Sequence, residues 1–452
     1  MKFSNHLKQI CKTKPMYRSR DIFVLVIFVV LATISCTKKG KLNGGSMDTS
    51  TTTVTIKYID TLPPSTPMKH TGGLHAQADF DRIKTKIAVN AQPWLDGWNK
   101  LIANSHAQKT YTANPTVKLI RGGSSTEEPD PDNYSRAMND AAAAYQLGLR
   151  WKISGDTAYA RTAVNILNAW VATCVKLSGD PNIALGAGIY GYEFAIAGEL
   201  LRGFSGWQAT DFAKFQQWML NVFYPINYGF LSGHFGCHPE HSWSNWDLCN
   251  MASAMAIGIL TDNRSIYNYV INYYQRGLGN GNNFKTIFYV FPGTDSTMAE
   301  MQESGRDQGH CTLSLALLTT VCQLAWNQGD DLWGFRNNIV LKASEYVSKY
   351  NIAMLDVPYK AYSWHEGDPW TGCGVKTTDL PSIGWSGRGL VRPMWAMIYN
   401  HYAKLKKVSS SNLTYTALGQ QRAQPEGGGG DYGGNSGGFD QLGFGTLLYT
   451  LD

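Results

Sequence analysis

From about residue 73 to about residue 406 the chain repeats one arrangement: an apolar stretch rich in small residues, a short polar or glycine break, then a more amphipathic stretch. "RAMNDAAAAYQLGLRWK" (136–152) places apolar groups three and four positions apart. "SGD" interrupts it, and "TAYARTAVNILNAWVATC" (157–174) resumes the same period. The alternation returns in "YEFAIAGELLRGF" with "ATDFAKFQQWMLNVFYPI", in "NWDLCNMASAMAIGIL" with "RSIYNYVINYYQRG", and in "MQESGRDQGHCTLSLALLTTVCQLAW" with "DLWGFRNNIVLKASEYVSKY". "GLVRPMWAMIYNHYAKLK" closes the series. Consecutive helices tend to be neighbours in space, so the chain must be a series of helical hairpins, stacked as an open solenoid or curled into a ring. Every other helix is too apolar and too rich in small residues to have a wetted face ("AAAAYQLGL", "MASAMAIGI", "LSLALLTT"). That favours two concentric layers. The expected fold is all-α: an incomplete or nearly closed (α/α) toroid of about six or seven hairpins in one large domain spanning 73–406.

The flanks read differently. Residues 1–35 hold six Lys/Arg and one Asp, which leaves 34 basic and 33 acidic groups in the remainder. The formal charge of +6 therefore belongs to the leader, and no nucleic-acid-binding patch is indicated. Within the leader an apolar run from Ile22 to Ile34 is short for a bilayer span of ~20 residues and reads as an export signal. Ser35-Cys36 followed by "TKKGK" resembles a bacterial lipoprotein cleavage site. The expectation is an exported protein, lipid-anchored through Cys36 in the bacterial envelope, in the periplasm or on the outer membrane. Residues 36–72 are Ser/Thr/Pro-rich and read as a tether; 407–452 read as a glycine-rich tail ending in an edge strand or irregular cap. Of the six cysteines beyond Cys36, Cys237 and Cys249 form the pair to test for a disulfide.

Two clusters carry candidate chemistry. The first is "SGHFGCHPEHSWSNWDLCNM" (232–251), where Asn245-Trp246 immediately precedes an inner-type helix and His241 lies just upstream. Its Cys and His residues match no standard metal-ligand spacing, so neither a metal nor another cofactor is expected. Asn245 also fits a bland role as helix N-cap. The second cluster puts Glu303, Arg306, Asp307 and His310 within eight residues. If a helix begins by Glu303, they fall at i, i+3, i+4 and i+7 and line one face. A salt-bridged surface stripe would explain such a pattern on an amphipathic helix, but this helix is too apolar for a surface position. Both clusters sit at the start of inner helices, where a ring opens onto a central cleft.

Charged residues make up only 16% of the chain, whereas it holds 14 Trp and 24 Tyr. A cleft with Asn, Arg, His and many aromatics suits an acidic sugar polymer, with rings stacked on aromatic faces and carboxylates held by Arg and Asn. That set also fits one reaction. Removing the proton at C5 of a uronate and expelling the 4-O-linked sugar needs the developing charge on the carboxylate to be neutralised, plus a base and an acid, and it needs no metal.

"AYQLGLRWKISGDTAYARTAVNILNAW", "GIYGYEFA", "NWDLCNMASAMAIGI" and "ESGRDQGH", spread over residues 73–405, resemble the alginate-lyase-type polysaccharide lyases, in particular the branch filed as polysaccharide lyase family 38. The resemblance implies an (α/α) toroid and β-elimination on alginate or a related polyuronate such as glucuronan, giving 4,5-unsaturated ends. It implies catalytic roles for an Asn and a His near an "N-H-S-x-W"-like stretch, matched here by His241 and Asn245 in "EHSWSNW", though in the reverse order. It also implies a later Arg, matched by Arg306, and a Tyr; His310 stands where that Tyr would be. Tyr190 takes the acid's role by substitution, with Tyr192 beside it. Trp246, Tyr192, Glu303, Arg121, Tyr134, Trp364, His365 and Arg388 are candidates for binding substrate at the rim. Two alternatives stay open. One is a glycoside hydrolase on the same toroid, with two of Glu303, Asp307 and Asp247 set ~6.5–9.5 Å apart; the other is a non-catalytic surface glycan-binding lipoprotein.

Overall fold

The computed structural model describes residues 56–365, 373 and 377–452. Two short helices, α1 (Gln77–Ala88) and α2 (Trp94–Ala103), lead into the first long hairpin, α3 (Ser135–Ser154) with α4 (Thr157–Thr173). The "SGD" break both ends one helix and starts the next. Gly155 takes the left-handed conformation (φ 77°) and its N–H donates to the Trp151 carbonyl, while the Asp156 carboxylate accepts from the Ala158 N–H and caps α4. There follow α5 (Ile183–Leu201), α6 (Ala209–Trp218), α7 (Tyr224–Gly233), α8 (Ser244–Leu260), α9 (Arg264–Arg276), the single turn α10 (Asn283–Thr286), α11 (Gln308–Gln328) and α12 (Phe335–Asn351). The chain closes with α13 (Trp395–Asn400), α14 (Thr414–Ala423) and α15 (Gly445–Tyr449). Three two-stranded ribbons decorate the breaks: β1 (Lys118–Ile120) parallel to β2 (Lys176–Ser178), β3 (Ile287–Val290) antiparallel to β4 (Ala299–Met301), and β5 (Tyr362–His365) antiparallel to β6 (Thr377–Leu380).

The two-layer expectation holds. Helices α3, α5, α8 and α11 are successive neighbours in an inner layer, with α4, α7, α9 and α12 packed on them. All of α5 except Ile183 and Leu185 is buried, and all of α8 except Trp246. Their small residues are what allow the closest approach in the ring. A Cβ on Gly191 would stand 2.2 Å from the Ser253 hydroxyl, and one on Gly188 would stand 2.3 Å from the Cys249 sulfur. Each large apolar side chain sealed between the layers contributes about 1.5–3 kcal/mol.

The C-terminal segment departs from expectation. It is no edge strand or outlying cap: α15 packs against α13 on one side and α1 and α2 on the other, so residues 407–452 fill the seam between the last helices and the first. The glycine cluster makes this possible. The Asn104 and Gln146 side-chain amides both donate to the Gly429 carbonyl, and a Cβ on Gly429 would press into Ala142. The last part of the expected tether is also built in. Ile59 exchanges two hydrogen bonds with the Gln275 side chain, and Arg264 and Asn268 donate to carbonyls of Pro67 and Leu62. The described residues accordingly form one compact unit; residues 1–55, with Cys36, lie outside them. No described helix is long and apolar enough to cross a membrane. The disulfide joins Cys237 to Cys373, not to Cys249, whose thiol is buried beside Gly188.

Candidate active site

The second cluster does not lie on one helix face. After β4 the chain makes a tight turn through Gln302–Arg306, and α11 begins only at Gln308, with Asp307 as its N-cap accepting from the His310 N–H at 2.8 Å. Asp307 is extended (φ −169°), so Glu303 and Arg306 precede the helix, and the turn folds them back towards α8. Asn245 is likewise not a cap; Trp243 holds that position, leaving the Asn245 amide to point at the turn.

Glu303 is the hub. Fully buried, its carboxylate accepts from the Ser244 and Ser314 hydroxyls (3.0 and 2.7 Å), the Asn245 backbone N–H (2.8 Å), the Asn245 amide (2.9 and 3.1 Å) and Arg306 Nη1 (3.0 Å). Every lone pair is engaged within the protein, whereas the sequence position of Glu303 suggested a contact to substrate. It fixes Asn245 and Arg306 relative to each other. Arg306 also lies over the face of Trp243 (4.9 Å), which stacks on Trp364 (4.8 Å, 10° between planes). Trp364 in turn donates its indole N–H to the His241 carbonyl, and its ring sits 6.2 Å from that of His241.

His310 is half-exposed, with Nδ1 2.7 Å from Asp307 Oδ2 and Nε2 3.2 Å from Arg306 Nη2. A guanidinium has no lone pair to offer, so Nε2 is the acceptor and the imidazole proton sits on Nδ1, donated to Asp307. This orients a neutral imidazole with its basic nitrogen beside the arginine. Burial works to raise the Asp307 carboxyl; the hydrogen bonds from the His310 ring and backbone outweigh it and hold the group below its usual range.

Tyr190 and Arg121 form a second group. Arg121 donates to the Tyr190 hydroxyl at 2.8 Å and lies over the ring of Tyr134, which stacks on Tyr190. Burial pushes the Tyr190 phenol well above its usual range, against the pull of Arg121. Burial raises the carboxyl of Asp440, which the C-terminal segment contributes and which bonds Arg392; the nearby charges of Arg392 and Arg121 oppose that rise. Tyr190 itself is completely buried, and it is this burial, not its hydrogen bond, that disfavours it as a donor to a leaving group. Tyr192 is equally buried and donates to the Asp440 carbonyl at 2.6 Å, which anchors the seam. Arg388 is also committed, to the carbonyls of Tyr350 and Leu355 and to the face of the Tyr350 ring. Trp246 leans on Phe230 at the start of α8. His365 pairs with Thr377 in the β5–β6 ribbon.

The structure adds residues that local sequence did not single out. Gln302 accepts from the Ser244 N–H and donates to the Tyr362 hydroxyl (3.2 Å), which brings a phenol from β5 into the Asn245–Glu303 network. Burial raises this phenol too, with the Gln302 bond opposing. Because Tyr362 accepts there, its own proton remains available to donate. Tyr362 owes its place to a contact across 60 residues of sequence, and Trp243 is fixed by Trp364 and Arg306, both distant from it in the chain. The would-be metal ligands of the first cluster are dispersed: Cys237 is disulfide-bonded, and His234 bonds the buried Asp247 (3.0 Å), which also accepts from Tyr273 and the Gly281 N–H. Asp247, Glu303 and Asp307, the carboxylates that the hydrolase alternative would use, are each committed to N–H or O–H donors within the protein.

The sequence model of the alginate lyase family, described simply as alginate lyase, matches residues 96–353. The chain belongs to the alginate lyase family. It is a polysaccharide lyase, and the match spans both clusters. In fold the lyase is similar to an alginate lyase from Bacteroides ovatus, at 14% identity and a TM-score of 0.52, covering 85% of this chain and 100% of that one. It is also similar to a histidine-to-alanine variant of alginate lyase A1-III, an enzyme from Sphingomonas species A1, in apo form (14%, TM-score 0.53, 85% and 97% covered). The same variant complexed with a tetrasaccharide matches at 14% and a TM-score of 0.51, with 77% and 92% covered. These likenesses give the lyase its fold, an α/α toroid. No curated protein matches the chain in sequence.

Proposed function

We propose that this lyase cleaves a polyuronate, alginate or glucuronan, by metal-independent β-elimination, as the family 38 branch it resembles would. The observation that supports this most directly is the Asn245–Glu303–Arg306–His310–Asp307 network, with two carboxylate-directed donors and a neutral, correctly tautomeric imidazole at one place. Arg306 and Asn245 hold the uronate carboxylate, and their donors gain strength as charge grows on it in the enolate-like transition state. His310 Nε2 removes the C5 proton, and Asp307 stabilises the resulting imidazolium. Tyr362 gives its proton to the departing 4-oxygen, with Tyr190 the alternative donor. The Trp243–Trp364 stack with His241 walls one side of the site, and Arg121 and Tyr134 extend it.

The test is ultraviolet absorbance from the conjugated unsaturated uronate during incubation with alginate blocks, glucuronan, pectate and glycosaminoglycans. New reducing ends without that absorbance would mean hydrolysis, and binding without either would mean a glycan-binding protein. The leader adds a proposal of place: export and lipid anchoring at Cys36 in the bacterial envelope. Cys36→Ala should then shift the protein from the membrane to the soluble fraction, and equal partition of the two forms would refute the anchor.

A further inference from the structure

Trp385 is 79% exposed, and no other tryptophan among the described residues is exposed. It is mounted rigidly. The Gly384 N–H donates to the Ser304 carbonyl (2.9 Å), the Gln308 N–H to the Ser386 carbonyl (2.7 Å), and the Gln308 side chain to the Gly384 carbonyl (2.8 Å). These bonds clamp the loop to the turn that carries Arg306 and to the first turn of α11, next to His310. The backbone fits closely: a Cβ on Gly384 would strike the Arg306 carbonyl, and one on Gly387 the Gly309 nitrogen. Gly387 and Gly389 take φ values of +75° and +91°, which bend the loop over that helix start. Farther along, Arg388 holds the carbonyls of Tyr350 and Leu355, and the Gly389 N–H meets the Asn351 side chain. Leu390, Met354 and Leu355, each about half exposed, continue an apolar patch from Trp385, with Met354 Sδ packed beside Gly389.

A rigid loop that holds a bare indole in water, on the rim of a catalytic turn, forgoes burial that the other tryptophans obtain; exposed apolar patches of this kind mark binding surfaces. We propose that Trp385 is a stacking platform for a sugar ring of the polyuronate adjacent to the ring held by Arg306 and Asn245, with Leu390 extending the contact along the chain. The indole face meets the C–H face of a pyranose while the uronate carboxylates stay at the ring edge, in water. Such a platform is indifferent to the configuration at C5, so it contributes length-dependent affinity and no choice between uronates. The bonds that clamp the loop to the turn run to the Ser304 carbonyl and to the backbone and side chain of Gln308, and none of them uses the Arg306 guanidinium or the His310 ring, which separates binding at Trp385 from chemistry at the turn.

This rests on the polyuronate reading above, and one assay series separates the two. Wild type, Trp385→Ala and Trp385→Phe are compared on polymer and on short oligomers by release of unsaturated product. The expected result is a KM for polymer raised about five- to ten-fold in Trp385→Ala, with the loss falling on KM rather than kcat and Trp385→Phe close to wild type. An unchanged KM in Trp385→Ala overturns the subsite, and so does an equal fall in kcat for both variants, which would indicate a loop that merely supports Gln308. A change of oligomeric state without a change of KM would assign the patch to self-association and overturn it as well. Failure of wild type to act on any polyuronate is a different outcome: it removes the substrate assignment and the subsite with it.

Discussion

At the scale of single residues the site is a division of labour. Glu303 is buried and saturated, Arg306 and Asn245 are aimed by it, and His310 is aimed by Asp307. Arg306→Ala should lower kcat by about 10²–10³, the loss typical of one donor to a developing oxyanion, with near-native circular dichroism; near-normal turnover would take the turn out of the mechanism. His310→Gln should remove the acid limb of the kcat/KM profile together with most of the rate. Tyr362→Phe should remove the alkaline limb, and Tyr190→Phe should leave it in place; the reverse result would return the acid's role to Tyr190. Asn245, Arg306 and His310 were legible in sequence because polar groups at the mouth of an apolar helix need a reason to be there. The start of the helix was misjudged, although Asp307 ahead of "QGHC" carries the N-cap chemistry that places it. Tyr362 had no local signal, since only the folded β5–β6 ribbon brings it to Gln302 beside Asn245, and the role of Trp243 had none because its stack on Trp364 and its place under Arg306 exist only in the fold.

At the scale of elements, the small residues of the inner helices set the spacing of the layer whose helix starts bring the two clusters into hydrogen-bond contact. Gly191 of α5 faces Ser253 of α8, whose hydroxyl donates to Asn227 on α7 at 2.9 Å. Gly191→Ala should destabilise the fold by about 1–3 kcal/mol through overpacking, measured by denaturant unfolding. Adding Ser253→Ala should recover part of that loss, giving a coupling energy of about 0.5–3 kcal/mol in a double-mutant cycle. Strict additivity of the two would mean that α5 and α8 do not meet there as described. The hairpins themselves were readable because period, breaks and caps are local properties. The partner of Cys237 was not: Cys249 is near in sequence, but it sits one turn into α8 facing α5, and the bridge instead spans 136 residues to Cys373.

At the scale of the whole molecule, the ring is completed by a segment whose composition gave no hint of it. Glycine clusters read as loose tails, yet here the missing side chains let Gly429 lie against α3 and Gly430 against His106, and let α15 seat between α13 and α1. Glu426 is the lock of this seam. Its Oε1 accepts from the Trp395 and Ala396 N–H groups at the start of α13, its own N–H bonds Thr446 on α15, and its Oε2 is buried against Gly445 with no hydrogen-bond donor. Burial pushes the carboxyl up to about 7, against those two N–H groups. The sign follows from linkage. Between about 4.5 and about 7 the unfolded chain ionises this group while the folded chain keeps it protonated, so the folded state binds the extra proton and loses stability as pH rises. The full effect over that window is on the order of 3 kcal/mol. Glu426→Gln keeps the acceptor oxygen and cannot ionise, so its unfolding free energy should decline less steeply than wild type from pH 5 to pH 7. The two curves should draw apart steadily across that range and run parallel above it. Parallel curves throughout would mean that Glu426 enters the seam already charged, leaving the closure of the ring to the Gly429, Tyr192 and Arg392 contacts alone.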